Sequence, residues 1–347
     1  MKKCKPGFIL FLIVPLFFLI FAQTGEVGAK DLSDLKVGFA IQGGIDWPGW
    51  YKQGYDAIKA AQEEYGFHLS VTEMVGFPDM ERVFTQYAEE GYDFVWAHAS
   101  AFEFGVPDVA KNYPDVKWLL TGSRFADEEF PNIVTYDYEW RDAAYVWGYL
   151  TALMTEAGVV GMTIGEPYDD LVDLAMGVKV GFLKHRPDGE FIYNVAGTWG
   201  DPDIGREIAL AQADAGADIV TEWAGTTGVG VATAAEERGL FFIAEDQDIG
   251  AMNPDVTIGY AYYTFTRVIF DVMANIAEDN WQSGSFVFDV SPETLEALDF
   301  HMTDLVPTEI QEKVIAEKER MMEAGGVSKL YPDISEYAIG DTDAWMD

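Results

Sequence analysis

Two tryptophans stand in loops of this 347-residue chain, each shortly after an apolar, strand-like run. Trp50 ends a segment rich in glycine and proline, and Trp199 lies in a second such segment at 197–203. Glycine and proline mark loops, and an indole on a loop offers a flat apolar face with one N–H donor. Two such rings can hold one planar ring between them. The pattern predicts contacts with a flat solute from Trp50, its neighbour Tyr51 and Trp199, although a purely structural role for Trp50 stays open.

An acidic cluster follows another apolar run, at 244–248. Its Asp246 and Asp248 can accept hydrogen bonds from sugar hydroxyls, bind a cation or act as an acid–base pair. The Asp-x-Asp spacing is a weak metal signal, because the further ligands and the glycine of an oxygen-rich calcium loop are missing from this stretch. We therefore predict ligand contacts here, with no metal and no cofactor.

Two further residues are candidates for ligand contact. His98 comes just past an apolar run and is placed to face a cleft, although a lone histidine is more often structural. Gly225 belongs to a glycine-rich stretch that opens a helix, where backbone N–H groups can bind a hydroxyl or an anion. The stretch lacks the Lys-Ser/Thr ending of a phosphate-binding loop, and the sequence has no Gly-x-Ser-x-Gly or His-Glu-x-x-His motif. These patterns favour a binding protein over an enzyme.

The elements that must position these residues alternate between strand and helix. Helix-period segments separate nine apolar runs, at 37–41, 67–74, 92–97, 116–121, 133–138, 159–164, 191–196, 218–223 and 240–244. Such alternation predicts an α/β fold with parallel sheets and right-handed crossovers. Ligands of open α/β sheets bind outside the carboxyl ends of the strands, where all the candidate residues lie.

An internal echo divides the chain into two Rossmann-like lobes joined by a hinge. The segment 88–95, with a helix end, a glycine and a buried strand, recurs at 213–220, although such junctions look alike in any α/β protein. We predict a first lobe from 30–139 and 247–284, and a second lobe from 140–246 and 285–325. Residues 326–347 would form a C-terminal tail.

The first 29 residues have the order of a secretory signal peptide: a lysine-rich start, an apolar run at 8–22 and small residues before the cleavage point. The apolar run is shorter than the roughly 20 residues that span a bilayer, which favours cleavage over an uncleaved anchor. The only cysteine, Cys4, precedes the apolar run and is too early for lipid attachment. We predict an exported protein without a lipid anchor, located in the periplasm or at the outer face of the plasma membrane.

Acidic residues outnumber basic ones by 59 to 22, and the net charge is −37. Such a charge repels phosphate backbones, so a nucleic-acid polymer is excluded as a partner. Self-repulsion also favours a monomer.

Several motifs, in this order, resemble the basic membrane protein (PnrA-like) family of ABC transporter substrate-binding proteins. They are Val37-Gly38-Phe39, Gly43-Gly44-Ile45-Asp46, Trp50, Ala110-Lys111-Asn112-Tyr113-Pro114-Asp115-Val116, the segment 145–152 and Asp246-Gln247-Asp248. The resemblance covers about 36–300 and implies a type I periplasmic-binding fold. It also implies capture of a purine nucleoside or nucleobase, which the protein hands to a membrane permease.

Within the resemblance, Trp50 and Trp199 match the aromatics that stack on the base. Asp46 matches the family's first-loop aspartate and Asp246 its ribose-binding aspartate. The chain departs from purine-nucleoside binders at Tyr51, where they have asparagine, and at 259–263, where a lysine is common. Two alternatives stay open: a nucleoside-cleaving hydrolase that uses Asp246 and Asp248, and a sensor that reports to a membrane receptor.

Overall fold

The computed structural model describes residues 31–122, 130–263, 265–288 and 298–334. The predicted signal peptide at 1–29 and the last part of the predicted tail, 335–347, lie outside the described residues.

The described residues form twelve strands, and each of the nine predicted runs overlaps one of them. In chain order they are β1 (Lys36–Ala40), β2 (His68–Thr72), β3 (Phe94–Ala97), β4 (Lys117–Thr121), β5 (Ile133–Tyr138), β6 (Val159–Ile164), β7 (Glu190–Val195), β8 (Ile219–Trp223), β9 (Phe241–Ala244), β10 (Thr257–Tyr263), β11 (Gly284–Phe288) and β12 (Leu298–Met302).

These strands form two six-stranded sheets, in the orders β11-β5-β4-β3-β1-β2 and β12-β10-β9-β8-β6-β7. All the pairings are parallel except that of β12 with β10, which is antiparallel. Helices cover both faces of such sheets, so central strands such as β3 and β5 are buried along their whole length, and β3 reads as a continuous apolar run. The predicted α/β fold with two mostly parallel sheets is confirmed.

The described ranges contain eleven α-helices, of which the first nine lie between strands and the last two follow β12. They are α1 (Trp50–Tyr65), α2 (Met80–Glu89), α3 (Val106–Asn112), α4 (Trp140–Met154), α5 (Asp169–His185), α6 (Pro202–Asp214), α7 (Thr226–Arg238), α8 (Gln247–Gly250), α9 (Phe265–Ala277), α10 (Thr308–Ala324) and α11 (Val327–Leu330). In the part of the chain that the structure describes, none of these helices has the length and apolar character needed to cross a membrane.

The sheets place the lobe boundaries differently from the prediction. β10 belongs to the second sheet, so the chain returns to the first lobe only after Tyr263 and not at 247. β11, at Gly284–Phe288, completes the first sheet although the prediction places residues from 285 onward in the second lobe. The chain therefore crosses between the lobes after β5, after β10 and again between β11 and β12.

The two sheets have equivalent strand orders. Read from the edge strand β2, the first sheet runs β2-β1-β3-β4-β5, and read from the edge strand β7, the second runs β7-β6-β8-β9-β10. The internal echo agrees with this, because the repeated segment leads into β3 in one lobe and into β8 in the other. The two tryptophan loops are not counterparts, however. Trp50 follows β1, whereas Trp199 follows β7, the counterpart of β2.

Candidate functional site

A cavity lies between the carboxyl edges of the two sheets and holds about 510 Å³ of space, part of it open to solvent. Six aromatic side chains dominate its lining, and two carboxylic acids contribute to it. The lining residues are Gln42, Trp50, Tyr51, Ala99, Ser100, Trp140, Tyr168, Asp170, Leu171, Trp199, Trp223, Gly225 and Glu245. No lysine or arginine is among these described residues.

Trp50 begins α1 and is fixed by rings on several sides. Its indole is stacked on His98, at 5.0 Å between ring centroids and 7° between planes. Phe265 meets it edge-on at 4.7 Å, and Trp140 lies 5.9 Å away. Ring pairs of this geometry stabilise one orientation beyond the gain from burial, so Trp50 presents a fixed surface to the cavity.

His98 is the support behind Trp50 and does not line the cavity. It is fully buried, and its Nε2 lies 2.9 Å from the carbonyl oxygen of Trp50, which can only accept. Nε2 therefore carries the proton, and Nδ1 accepts a hydrogen bond from Thr121 Oγ1 at 2.6 Å. Burial lowers the pKa of His98 to about 3, so the imidazole is neutral at physiological pH.

Trp199 forms part of the opposite side of the cavity, on the loop before α6. Its Nε1 donates to Glu166 Oε2 at 3.0 Å, and the same oxygen accepts from the Tyr168 hydroxyl at 2.5 Å. The rings of Tyr168 and Trp199 are nearly parallel, at 15°. The shared carboxylate holds both rings in place, although neither packs directly on Trp50.

Three buried carboxyls lie at the ends of β8 and β9. Glu222 accepts hydrogen bonds from the backbone N–H groups of Ala224 (2.9 Å) and Glu245 (2.8 Å). Glu245 Oε2 accepts from Gly225 N at 2.8 Å. Burial raises the pKa of Glu222 to about 8 and that of Glu245 well above its usual range, and the neighbouring acids add to the rise for both.

Asp246, the third of these carboxyls, caps α8. Its Oδ1 accepts from the N–H groups of Asp248 (2.6 Å) and Ile249 (3.0 Å), as a helix N-cap does. Its Oδ2 is buried without a hydrogen-bond partner, and burial raises the pKa of Asp246 to about 7. Oδ2 faces Gly49 of the other lobe so closely that a Cβ built there would lie 2.2 Å away. Gly49 also has a φ of +88°, so both its conformation and its close contact require glycine.

Asp170 is the second carboxyl of the cavity lining and lies in the first turn of α5. Its Oδ2 accepts from the Ser100 hydroxyl of the first lobe at 2.8 Å, and its Oδ1 accepts from Leu171 N at 3.0 Å. Burial, with the nearby Asp137 charge, raises the pKa of Asp170 to about 7.

Further contacts join the lobes around the cavity. The ring of Trp47, in the first lobe, lies against Gly200 of the second, where a Cβ would come within 2.6 Å of Trp47 Cη2. Lys52 Nζ lies 3.7 Å from Asp248 Oδ2, and both side chains are partly exposed. With Ser100–Asp170, these contacts connect the two lobes in the conformation described here.

Of the predicted ligand contacts, Trp50, Tyr51, Trp199 and Gly225 line the cavity. The other four do not: Asp46 is exposed on its loop, His98 is behind Trp50, Asp246 caps α8 and Asp248 faces Lys52. In this conformation His98 supports Trp50, and its contact with a ligand stays a prediction.

Sequence reasoning missed Trp140, Trp223, Asp170 and Glu245. The first two lie directly after β5 and at the end of β8, the same strand-end position that drew attention to Trp50. Glu245 immediately precedes the quoted Asp246. Asp170 gives no comparable signal, because an acidic residue in the first turn of a helix is ordinary.

No group of three or more histidine, cysteine, aspartate or glutamate side chains is arranged to hold a metal ion within the described ranges.

Two equivalent sheets with a cavity between their carboxyl edges define the architecture of a type I periplasmic binding protein.

The chain belongs to the ABC transporter substrate-binding protein PnrA-like (Bmp) family, which it matches over residues 35–329. It is similar to a purine-binding protein of Brucella abortus, with 25% identity over 72% of this chain and 71% of that protein. A putative ABC transporter glucose-binding protein of Haloferax volcanii is 24% identical over 69% of this chain, and the match spans 60% of that relative's length.

Among solved structures, an ABC transporter solute-binding protein from Aeropyrum pernix matches with a TM-score of 0.71. The match covers 90% of this chain and 95% of that one at 17% identity, which supports the fold alone. The suspected family membership and the fold it implies are thus confirmed.

Proposed function

We propose that this protein is an exported solute-binding protein that captures a purine nucleoside or nucleobase between its lobes and delivers it to a membrane permease. The observation that carries the proposal is the cavity between the sheet edges, lined by four tryptophans and two tyrosines. Aromatic faces on both lobes suit a planar, largely apolar ring.

The positions of Trp50 and Trp199 support a sandwich for the base. Each comes from a different lobe, and each is fixed from behind, Trp50 by His98 and Trp199 by its hydrogen bond to Glu166. Closure of the lobes on the base would bury both of its faces. Ring stacking of this kind contributes about 0.5–1.5 kcal/mol per pair beyond the burial of area.

The charge of the lining favours nucleosides or bases over nucleotides. Asp170 and Glu245 contribute carboxyls, and no basic side chain is among the described lining residues. A phosphate would have no counter-charge there, and burying an unpaired charge is costly. The purine-binding relative from Brucella abortus supports the same ligand class.

The predicted signal peptide and the family support export and delivery to a permease, since substrate-binding proteins of this family act outside the cytoplasm. The hydrolase alternative relies on Asp246 and Asp248. The helix-capping contacts of Asp246 and the position of Asp248 beside Lys52 favour a binding role instead. The predicted ribose contact of Asp246 stays a prediction.

Calorimetric titration of the protein, refolded to remove any bound solute, tests the ligand class. We expect adenosine, guanosine, inosine or a free purine base to bind with micromolar or tighter affinity, and uridine, glucose and amino acids to bind more weakly. Trp50→Ala and Trp199→Ala should each reduce the affinity by about 10- to 100-fold, because each removes one stacking face.

Trp281→Ala is the matched control, because the Trp281 indole donates to Pro131 O and does not line the cavity. Glucose binding without purine binding would show that the ligand class is wrong while the fold and family stand. Unchanged purine affinity in both cavity variants would show that the base binds elsewhere.

A further inference from the structure

The cavity combines aromatic faces with two ionisable carboxyls. Its six aromatic rings present electron-rich faces, which attract cations. The two carboxyls of the lining, Asp170 and Glu245, are both buried, and the neighbours that shift their pKa values are acidic or neutral. When these carboxyls ionise, no basic side chain among the described lining residues balances their charge.

The hydrogen bonds of the two carboxyls leave them able to bind more. Asp170 accepts one bond at each oxygen, from Ser100 Oγ and from Leu171 N. Glu245 accepts from Gly225 N at Oε2. A carboxylate has about four acceptor positions, so each group can take further donors or a nearby positive charge.

We propose that the preferred ligand is a planar organic cation, a purine whose ring carries a positive charge through N-alkylation or protonation. The inference rests on the proposed function, since it specifies which purine derivatives the same cavity prefers. The rings provide stacking and cation–π attraction, and Asp170 and Glu245 provide the counter-charge.

Proton release on binding would accompany this preference. Asp170 faces Ser100, Asp137 and Glu103, and Glu245 faces Glu222, Asp246, Tyr51 and Tyr263. Because burial and these acidic neighbours raise the pKa of both carboxyls, they hold protons near neutral pH. A bound cation favours the ionised carboxylates and expels protons, whereas a neutral purine leaves them in place.

The test compares cationic purines with neutral ones of almost the same shape, by calorimetry at about pH 6, where both methylated cations keep their positive charge and Asp170 still holds its proton. One pair is 1-methyladenosine, a cation, and 1-methylinosine, which is neutral. The other is 7-methylguanosine and its neutral analogue 7-methyl-7-deazaguanosine, with the methyl group at the opposite edge of the purine. In at least one pair we expect the cation to bind about tenfold more tightly. Titration in buffers of different ionisation enthalpy should show proton release for the cation only.

Asp170→Asn should remove most of the cation's advantage, so that the ratio of the two affinities falls from about tenfold to about twofold whatever the change in each affinity. Asp255→Asn is the control, since it removes an equal charge from an exposed position outside the cavity lining.

Neutral purines that bind as tightly as the cations in both pairs, or that bind when neither cation does, would overturn the inference and leave the proposed function intact. If no purine binds, charged or neutral, the proposed function fails and this inference fails with it.

Discussion

The two walls of the cavity differ in their ionisable groups. The first lobe contributes Gln42, Trp50, Tyr51, Ala99 and Ser100, with the neutral His98 behind them. The second lobe contributes Asp170 and Glu245, with Glu222 and Asp246 behind Glu245. The first wall is built for shape, since both ring nitrogens of His98 behind Trp50 are hydrogen-bonded. The second wall holds acids whose burial costs stability, which is typical of residues kept for function.

This difference gives the two walls opposite pH dependences of stability. The pKa of His98 is about 3 in the fold, against about 6.5 when exposed, so the unfolded chain binds a proton that the fold does not. Its contribution to the free energy of unfolding therefore falls as the pH drops below about 6.5. Asp170 and Glu222, with pKa values of about 7 and about 8, hold protons that the unfolded chain loses above about pH 4. Their contributions fall as the pH rises from about 4 to about 8.

His98→Ala should give the largest effect on the first wall. It removes a buried ring, two hydrogen bonds and the stacking partner of Trp50, and should lower the free energy of unfolding by about 3–4 kcal/mol at pH 7. Urea unfolding measures the loss. The loss should become smaller below pH 6.5, because the buried neutral imidazole makes the wild type less stable as the pH falls and the variant lacks this imidazole. His68→Ala, at an exposed position, is the control. A loss below about 1 kcal/mol would mean that His98 does not support the wall.

Gly49→Ala tests the contact between the two walls. The new Cβ would lie 2.2 Å from Asp246 Oδ2, so the lobes could no longer meet as described, and purine affinity should fall about 100-fold. Gly91→Ala is a close control, because Gly91 has a φ of +72° and its Cβ would meet nothing within 4 Å. Both variants share the cost of a positive φ. If calorimetry shows equal affinity losses in the two, the contact between Gly49 and Asp246 is unimportant for binding.

Glu245→Gln should give a smaller effect, of opposite sign, on the second wall. It removes one of three neighbouring buried acids and keeps an acceptor for Gly225 N–H. In the ligand-free protein it should raise the free energy of unfolding by about 1–2 kcal/mol at pH 8 and by almost nothing at pH 5. Urea unfolding at the two pH values measures this, with the exposed Glu312→Gln as control. An equal gain at both pH values would contradict the charge difference between the walls.

The sequence predicts most of the fold because buried parallel strands are continuous apolar runs. β10, β11 and β12 are missing from the predicted runs, although β10 is an inner strand. β11 and β12 are edge strands, and Ser285 and Phe286 of β11 are exposed. Their positions depend on pairing with β5 and β10, which lie far away in the chain. The lobe boundaries were misplaced for the same reason.

The site is predicted less completely than the fold. Trp50 and Trp199 can be identified from the sequence, because a glycine- and proline-rich loop with an aromatic residue after an apolar run is visible in a few consecutive residues. Periodicity does not reveal whether His98 lies in front of the indole of Trp50 or behind it, because that depends on Thr121, on another strand. Asp170 joins the cavity through Ser100 of the other lobe, a contact across 70 positions of the chain.

Trp47 packs on Gly200, and Lys52 lies near Asp248. Because of these contacts between the lobes, the residence time of a solute and the specificity for it depend on different residues. Neither pair includes a residue of the cavity lining, yet both must separate before a solute can leave. Substitutions there would change residence time while leaving the chemical preference of the cavity untouched. Evolution can therefore tune the rate of solute release through these two contacts alone.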